Sequence, residues 1–330
     1  MKVAINGLGR IGRLFLRNAL DLGLNIVVIN DLTDPSNLAY LVKYDSVHGI
    51  LKEKVEAGKD FIKIGSKKIQ IISERDPEKL PWKKLGVDVV VESTGFFTDR
   101  DGASKHITAG AKKVIISAPA KNPDATIVLG VNEDKLKKTD KIISMGSCTT
   151  NCLAPLAKVL EENYGIKKGF MTTVHAYTAS QGLVDKPDKK MRRGRAAAEN
   201  IVPTTSGATK AVIEVIPSLA GKMNGLAMRV PVPAGSITDF VAELEKAPKD
   251  AAEVNSVFKK AAEGKLKGIL DYTEEEIVSS DIINNTHSSI IDGLSTMLIG
   301  NTVKVLSWYD NEYGYSHRLA EFTKLVGKGL

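Results

Sequence analysis

The stretch that most limits what this chain can fold into is its first thirty residues. KVAI (2–5) is a short apolar run, and GLGRIG follows at once, placing Gly7, Gly9 and Gly12 in G-x-G-x-x-G spacing. RIGRLFLRNAL then has helical periodicity, with Ile11, Leu14, Phe15 and Leu20 apolar. A second apolar run, NIVVIN (25–30), ends at Asp31, about 20 residues past the last glycine. Strand, glycine turn, helix, strand and acid make a whole dinucleotide-binding unit. Gly7 permits a tight turn, Gly9 a close backbone approach to a pyrophosphate, and Gly12 close packing of helix on strand. Free N–H groups at the helix start, near Arg10 and Ile11, favour an anion. Asp31 can accept hydrogen bonds from an adenosine ribose, and its charge would repel a 2′-phosphate. A glycine turn used only for packing explains neither Asp31 nor its position.

The α/β alternation continues. VDVVVE (87–92) and KVIIS (113–117) are nearly unbroken apolar runs, as buried parallel strands should be. SKHITAGA between them reads as a helix entering a Gly turn, and KIISMGS (141–147) is the last strand of this half. After about residue 150 the pattern changes. GFMTTVHAY (169–177), GLAMRVPVP (225–233), SITDFVAELEK (236–246) and NTVKVLSWYD (301–310) are longer strands, several alternating apolar with polar. Helices are expected at 208–216 and 250–263, and a closing helix at 313–326 that packs back on the first half. Residues 179–207 show no periodicity and read as a long functional loop. The expected fold is α/β: a Rossmann-type dinucleotide-binding domain plus an α+β catalytic domain with a largely antiparallel sheet.

At 330 residues the chain exceeds one comfortable core, which agrees with two domains. No run approaches the roughly 20 apolar residues of a membrane helix, and MKVAINGLGR lacks a signal-peptide core. Two cysteines cannot make a disulfide framework, so a reducing, cytoplasmic setting is expected. The net charge of +7 is scattered, with short clusters such as KKMRRGR (189–195). It suits a solvated surface or a positive field that draws in an anionic metabolite. Nucleic-acid binding wants stacking aromatics among the basic residues, and aromatics are only 5% of the chain.

Both cysteines fall in SMGSCTTNC (144–152). Cys148 follows a strand and Gly146 and precedes a helical pattern, with Ser147 and Thr149 as candidate caps. A thiol at a helix N-terminus is expected to have a lowered pKa. Pro155 is natural in a first turn, so the helix either starts after 148 or bends at 155. Two Cys without a neighbouring His offer too few ligands for a metal site. Either Cys alone reads as a small buried hydrophobe, but a nearby base would make one a nucleophile. His175, closing the strand FMTTV, is the candidate base, while His48, His106, His287 and His317 carry no motif.

Eight segments in order then resemble the phosphorylating glyceraldehyde-3-phosphate dehydrogenase family. They are INGLGRIGR (5–13), KYDSVHG (43–49), ESTGFF (92–97), SCTTNCLAP (147–155), VHAYT (174–178), RRGRAAAENIVPTTSGATKAV (192–212), MRVPVP (228–233) and SWYDNEYGYSHR (307–318). The resemblance implies a cofactor domain over 1–147 that takes back a C-terminal helix (311–330), a catalytic domain over 148–310, and a homotetramer. It implies Cys148 as nucleophile and His175 as base. Phosphates would be held by Ser147, Thr149, Thr178, Arg193, Ser206, Gly207 and Arg229. For the cofactor it implies Gly7, Gly9, Arg10, Ile11, Gly12, Asp31, Arg75, Thr94 and Ser117, with Asn311 on the nicotinamide carboxamide and Tyr315 beside the ring. The substrates would be glyceraldehyde 3-phosphate and inorganic phosphate, with NAD as cofactor, no metal, no membrane and no indicated nucleic acid.

Four positions depart from the family pattern. SMGSC replaces the usual SNASC, so Met145 and Gly146 lose an Asn that helps fix the Cys loop. Ser206 stands where Thr is usual, and Lys186 where NAD-specific members carry Leu. Lys186 can attract a 2′-phosphate, which leaves NADP as the alternative cofactor. The rival readings are erythrose-4-phosphate dehydrogenase, a nucleotide-binding regulator, or an RNA-binding protein using the same cleft.

Overall fold

The computed structural model describes residues 1–329, which group into two compact units. The first takes Met1–Ile127, Asp134–Gly146 and the chain from Ser316; the second takes Val128–Glu133 and Ser147–Tyr315.

The first unit contains β1 (Lys2–Asn6), α1 (Arg10–Asp21), β2 (Asn25–Asn30), α2 (Pro35–Lys43), β3 (Val55–Ala57), β4 (Phe61–Ile64) and β5 (Lys67–Ile72). It continues with α3 (Trp82–Leu85), β6 (Val89–Glu92), α4 (Arg100–Thr108), β7 (Lys113–Ile116), β8 (Ala125–Thr126) and β9 (Ile142–Ser144). Its nine-stranded sheet runs β3-β4-β5-β2-β1-β6-β7-β9-β8. β1 pairs in parallel with β2 on one side and β6 on the other, so the strand order reverses there. The carboxyl ends of these three strands, Asn6, Asn30 and Glu92, therefore mark the topological switch point where such sheets bind ligands. β6 and β7 are buried throughout, which explains their unbroken apolar runs. This is a Rossmann-type arrangement. The antiparallel edge β3–β5 has no counterpart in the sequence reading, because its strands are short and interrupted by Lys, Glu and Gln. The chain from Ser316 contributes buried Leu319, Phe322 and Val326, and His317 Nδ1 donates to Asn18 Oδ1 at 2.8 Å.

The second unit contains α5 (Cys148–Tyr164), β10 (Ile166–Ala176), β11 (Val202–Thr205), α6 (Ala208–Val215), β12 (Met223–Val230) and β13 (Ser236–Leu244). Then come α7 (Ala251–Glu263), β14 (Leu270–Thr273), β15 (Ser289–Ile299), β16 (Thr302–Tyr309) and the start of α8 (Tyr313–Lys328). The seven strands are ordered β11-β12-β10-β13-β16-β15-β14. Pairing is antiparallel except for β10–β12 and β14–β15. One face packs on the helices: Leu153, Leu156, Leu160, Val212 and Phe258 meet Met171, Phe240, Val303 and Val305 in one core.

One expectation needs correction, and of two alternatives left open for α5 one is excluded. The 179–207 stretch is not all loop: a short 3₁₀ turn forms at Met191–Gly194, and β11 pairs with β12. VPTT has no alternating pattern to announce a strand; its register comes from a partner more than twenty positions away. Helix α5 starts at Cys148 itself and carries Pro155 inside it, so it does not start later.

Candidate functional site

The first unit holds a cavity of about 540 Å³ at its switch point. Gly7, Gly9, Asp31, Arg75 and Thr94 line it, with Asn6, Asn30, Glu74 and Phe97. Gly7 sits at φ 92°, where a side chain is strained, and a Cβ there would meet Thr94 at 2.8 Å. A Cβ on Gly12 would come within 2.1 Å of the Gly7 carbonyl, so the glycine turn closes only without side chains. Arg10, Ile11 and Gly12 open α1, whose N-cap is Gly9. Gly9 has no side chain to cap that end, and a helix N-terminus favours an anion. Asp31 accepts from Leu8 N–H at 2.7 Å and Thr33 N–H at 2.9 Å, which fixes its carboxylate beside the turn. Arg10 is tied to Asp45 at 2.5 Å. Ser117 follows β7, and its N–H donates to the Glu92 carbonyl. This cradle suits a pyrophosphate-linked dinucleotide: glycines where the backbone must come close, a helix N-terminus and a carboxylate for a ribose.

The turn before Cys148 is ordered without the asparagine usual in the family. Gly146 takes φ 66°, and its N–H donates to Ser144 Oγ at 3.0 Å. Ser144 Oγ–H in turn donates to the Ala118 carbonyl at 2.8 Å, and Met145 is fully buried. A serine hydroxyl and a left-handed glycine thus hold the bend.

In the second unit, α5 opens with a capping box. Ser147 Oγ accepts from Thr150 N–H, and Thr150 Oγ1 accepts from Ser147 N–H, each at 3.1 Å. Thr149 is no cap; its hydroxyl bonds that of Tyr309 at 2.9 Å. Cys148 is half-buried, and its Sγ lies 3.4 Å from His175 Nε2 at the end of β10. The parallel pairing of β10 with β12 places Arg229 directly opposite His175. Arg229 Nη1 donates to the Ala176 carbonyl at 3.0 Å, and His175 Nδ1 lies 2.7 Å from the same oxygen. A guanidinium only donates, and it stands 2.6 Å from Nδ1, so Nδ1 faces a donor as well as the carbonyl acceptor. The carbonyl contact fits a proton on Nδ1 with the Nε2 lone pair toward the thiol, and the guanidinium contact fits the other tautomer.

Burial pushes the Cys148 thiol up, against the charge of Arg229, the Thr149 hydroxyl and nearby N–H groups, which pull it down. The expected net lowering is therefore corrected: removing water from a thiolate outweighs the helix terminus here. Burial also pushes His175 down, to about 3, with Arg229 adding to the effect. Both shifts favour neutral thiol and imidazole. A proton moved from Sγ to Nε2 makes an ion pair, whose attraction offsets part of the burial cost.

The other anion candidates gather on neighbouring elements. Arg193 donates to Thr204 Oγ1 at 2.7 Å, and its charge reaches Arg229. Ser206 Oγ accepts from Ala208 N–H, and Gly207 is the N-cap of α6. The Thr178 and Ser180 hydroxyls bond at 2.9 Å. Asn311 Oδ1 accepts from Gly235 N–H and Ser236 Oγ–H, and Tyr315 is buried. Cys152 is fully buried beside Ser307. One residue was missed by sequence reasoning. Tyr309 bonds both Thr149 and Thr173 and presents its ring edge to His175 at 6.0 Å. The strict inward alternation along β16 was the signal that could have found it.

A family model of the glyceraldehyde 3-phosphate dehydrogenase NAD binding domain matches residues 1–100, and one of its C-terminal domain matches residues 147–311. The chain belongs to the glyceraldehyde-3-phosphate dehydrogenase family. It is 58% identical to a glyceraldehyde-3-phosphate dehydrogenase of Geobacillus stearothermophilus, over 100% of this chain and 99% of that protein. It is 55% identical to that of Borreliella burgdorferi and 56% to glyceraldehyde-3-phosphate dehydrogenase 1 of Bacillus subtilis, each over 99% of this chain. Those two matches span 100% and 98% of the relatives' own lengths. Similarity over whole chains sets the cysteine–histidine pair in the same family context as the dinucleotide cradle.

Proposed function

We propose that this chain oxidises glyceraldehyde 3-phosphate with NAD and inorganic phosphate to 1,3-bisphosphoglycerate, the phosphorylating step of glycolysis. The observation that carries the mechanism is the 3.4 Å contact between Cys148 Sγ and His175 Nε2, read with the His175 proton on Nδ1. His175 takes the thiol proton, and the Cys148 sulfur adds to the aldehyde carbon to give a hemithioacetal. Its oxygen is stabilised by the Cys148 N–H and takes the proton back from the imidazolium, which leaves His175 neutral. His175 takes the hydroxyl proton as the carbon is oxidised, leaving a thioester on Cys148. Bound NAD supplies the hydride acceptor for that oxidation. Inorganic phosphate then attacks the thioester, and the Cys148 thiolate leaves.

Ser147, Thr149, Ser206, Gly207 and Arg193 are read as ligands of the attacking and substrate phosphates, with Thr178 and Arg229. Hydroxyls, a backbone N–H and guanidinium groups suit phosphate oxygens. Gly7, Gly9, Arg10, Ile11, Gly12, Asp31, Arg75, Thr94 and Ser117 are read as NAD contacts on the first domain. Asn311, whose Oδ1 is engaged and whose Nδ2 can donate, and Tyr315 serve the nicotinamide end. The domains are taken as 1–147 with the C-terminal helix, and 148–310. Among the described residues no helix is long and apolar enough to cross a membrane. A cytoplasmic homotetramer is proposed from the family resemblance.

The test is NADH formation followed with and without phosphate. Cys148→Ser should lower kcat/KM by ~10³-fold or more, as removal of an activated nucleophile does. His175→Asn should lower it by ~10²–10⁴-fold. Full activity in the serine variant would refute the mechanism, and oxidation indifferent to phosphate would favour the erythrose-4-phosphate type.

A further inference from the structure

Beneath the dinucleotide cavity lies a chain of hydrogen bonds that no step of the reaction uses. His106, on α4, is 0% exposed, and Glu92, at the end of β6, is 1% exposed. Trp82 Nε1 stands 3.0 Å from His106 Nδ1, and an indole N–H can only donate. Nδ1 therefore accepts, the ring proton sits on Nε2, and Nε2 donates to Glu92 Oε2 at 3.0 Å. Glu92 accepts on every side. Oε2 also takes Asn6 Nδ2 at 2.5 Å, and Oε1 takes the Thr94 N–H at 2.8 Å and the Thr94 hydroxyl at 2.5 Å.

An acceptor-only carboxylate leaves its neighbours one orientation each. Asn6 must turn its amide nitrogen to Glu92, so its Oδ1 faces Asn30 Nδ2 at 2.7 Å. Asn30 then has its Oδ1 free for the Glu74 N–H, which it accepts at 2.9 Å. Asn6, Asn30, Glu74 and Thr94 all line the cavity. Phe97, also in the lining, meets the His106 ring edge-on at 6.3 Å.

We propose that Glu92 and His106 are positioning residues for the dinucleotide: the buried sequence Trp82–His106–Glu92 sets which way Asn6, Asn30 and Thr94 point, and so shapes the cavity floor. The proposal rests on the reading that this cavity holds NAD. A half-satisfied buried network loses its defined geometry, so disturbing its polarity should be read at the lining above it. Strand, helix and side-chain polarity here agree from Trp82 to Glu74, across β1, β2 and β6.

Glu92→Gln keeps the shape but forces an N–H toward a donor. His106→Leu removes the ring's donor and acceptor, whereas His106→Gln can supply both to the same partners. NAD affinity measured by calorimetry should fall roughly tenfold in the first two variants, the scale of a lost hydrogen bond to a charged group. It should return to within about twofold of the parent in His106→Gln, with kcat at saturating NAD and the KM for glyceraldehyde 3-phosphate nearly constant. A folded Glu92→Gln with parental affinity overturns the proposal. So does a His106→Gln no better than His106→Leu, or a loss of kcat with affinity for NAD unchanged. Failure of both Glu92→Gln and His106→Leu to fold would also overturn it, since the network would then serve the domain rather than the cavity. Asp31→Ala separates the two readings. If it too binds NAD like the parent, the cavity assignment is wrong; if it alone weakens NAD, only the positioning role is.

Discussion

At the scale of single residues, the chain places charged groups where the fold gives them partners. Asp45 is the clearest case. Burial alone would raise its carboxyl, but the N–H groups of His48 and Val47 and the Arg10 guanidinium overcome that and hold it at about 2, from an ordinary 3.8. A depressed carboxylate stabilises the fold above its unfolded pKa and loses that contribution as pH falls through its folded one. The window here runs from about pH 4 down to about 2. Asp45→Asn keeps an oxygen for the two N–H groups but loses the charge facing Arg10. It should cost roughly 1 kcal/mol at neutral pH, after allowance for solvent screening. The difference from the parent in denaturant midpoint should shrink between pH 4 and 2, and a constant difference would contradict the assignment. KYDSVHG shows Asp45 in the sequence, but its guanidinium partner lies on another motif, so only the folded chain pairs them. Glu92 and His106 are alike in this. Fourteen positions separate them, and nothing in ESTGFF or SKHITAGA announces a shared hydrogen bond.

At the scale of elements, the first half is the easier to read. A βαβ unit is local, so the glycine turn, α1 and Asp31 are all found within one short window. The 3.6-residue and two-residue periods also place α6, α7, β13 and the start of β16 within a residue or so. Elements set by distant pairing are invisible to that method, as with β11 and the β3–β5 edge. So is the capture of Val128–Glu133 by the second unit, where Lys158 donates to the carbonyls of Gly130 and Val131. The start of α5 lay between these cases, because Ser147 signalled a cap while Pro155 argued for a later start. The capping box resolves it: two reciprocal bonds stabilise a first turn that proline, seven residues on, does not undo. Ser147→Ala should cost about 1 kcal/mol of stability, as lost caps do. Ser147 is also read as a phosphate ligand, so the KM for inorganic phosphate should rise in the same variant. Thr150→Val, which breaks the reciprocal bond, should share the stability loss and spare that KM. Equal effects of both variants on phosphate would assign the kinetic change to the helix rather than to the hydroxyl.

At the scale of the whole molecule, the seven-stranded sheet is only half accounted for. Its helix-covered face is a closed core, whereas the opposite face carries Phe170 at 70% exposure and, on the same sheet, Leu226, Val241, Met297 and Ile299, all exposed. Phe170 and Val241 are direct partners across β10 and β13, while Lys304, which pairs with Asp239, lies between Val241 and Met297. An antiparallel sheet that meets water presents polar residues on that side. A face that mixes exposed apolar and charged residues in this way fits a subunit interface. The proposed homotetramer would cover this face with another copy of the chain. Sequence alternation along β10 identifies which residues share the face but not whether it is solvated, since Phe170 inside a core would leave the same pattern. Phe170→Glu puts a charge at the centre of that face and touches no residue of the proposed catalytic pair. Sedimentation velocity on the parent should show a tetramer, and on Phe170→Glu a smaller species that still displays the parent's circular dichroism. A tetramer that survives the substitution would assign its contacts to other surfaces, and a monomeric parent would remove the case for assembly altogether.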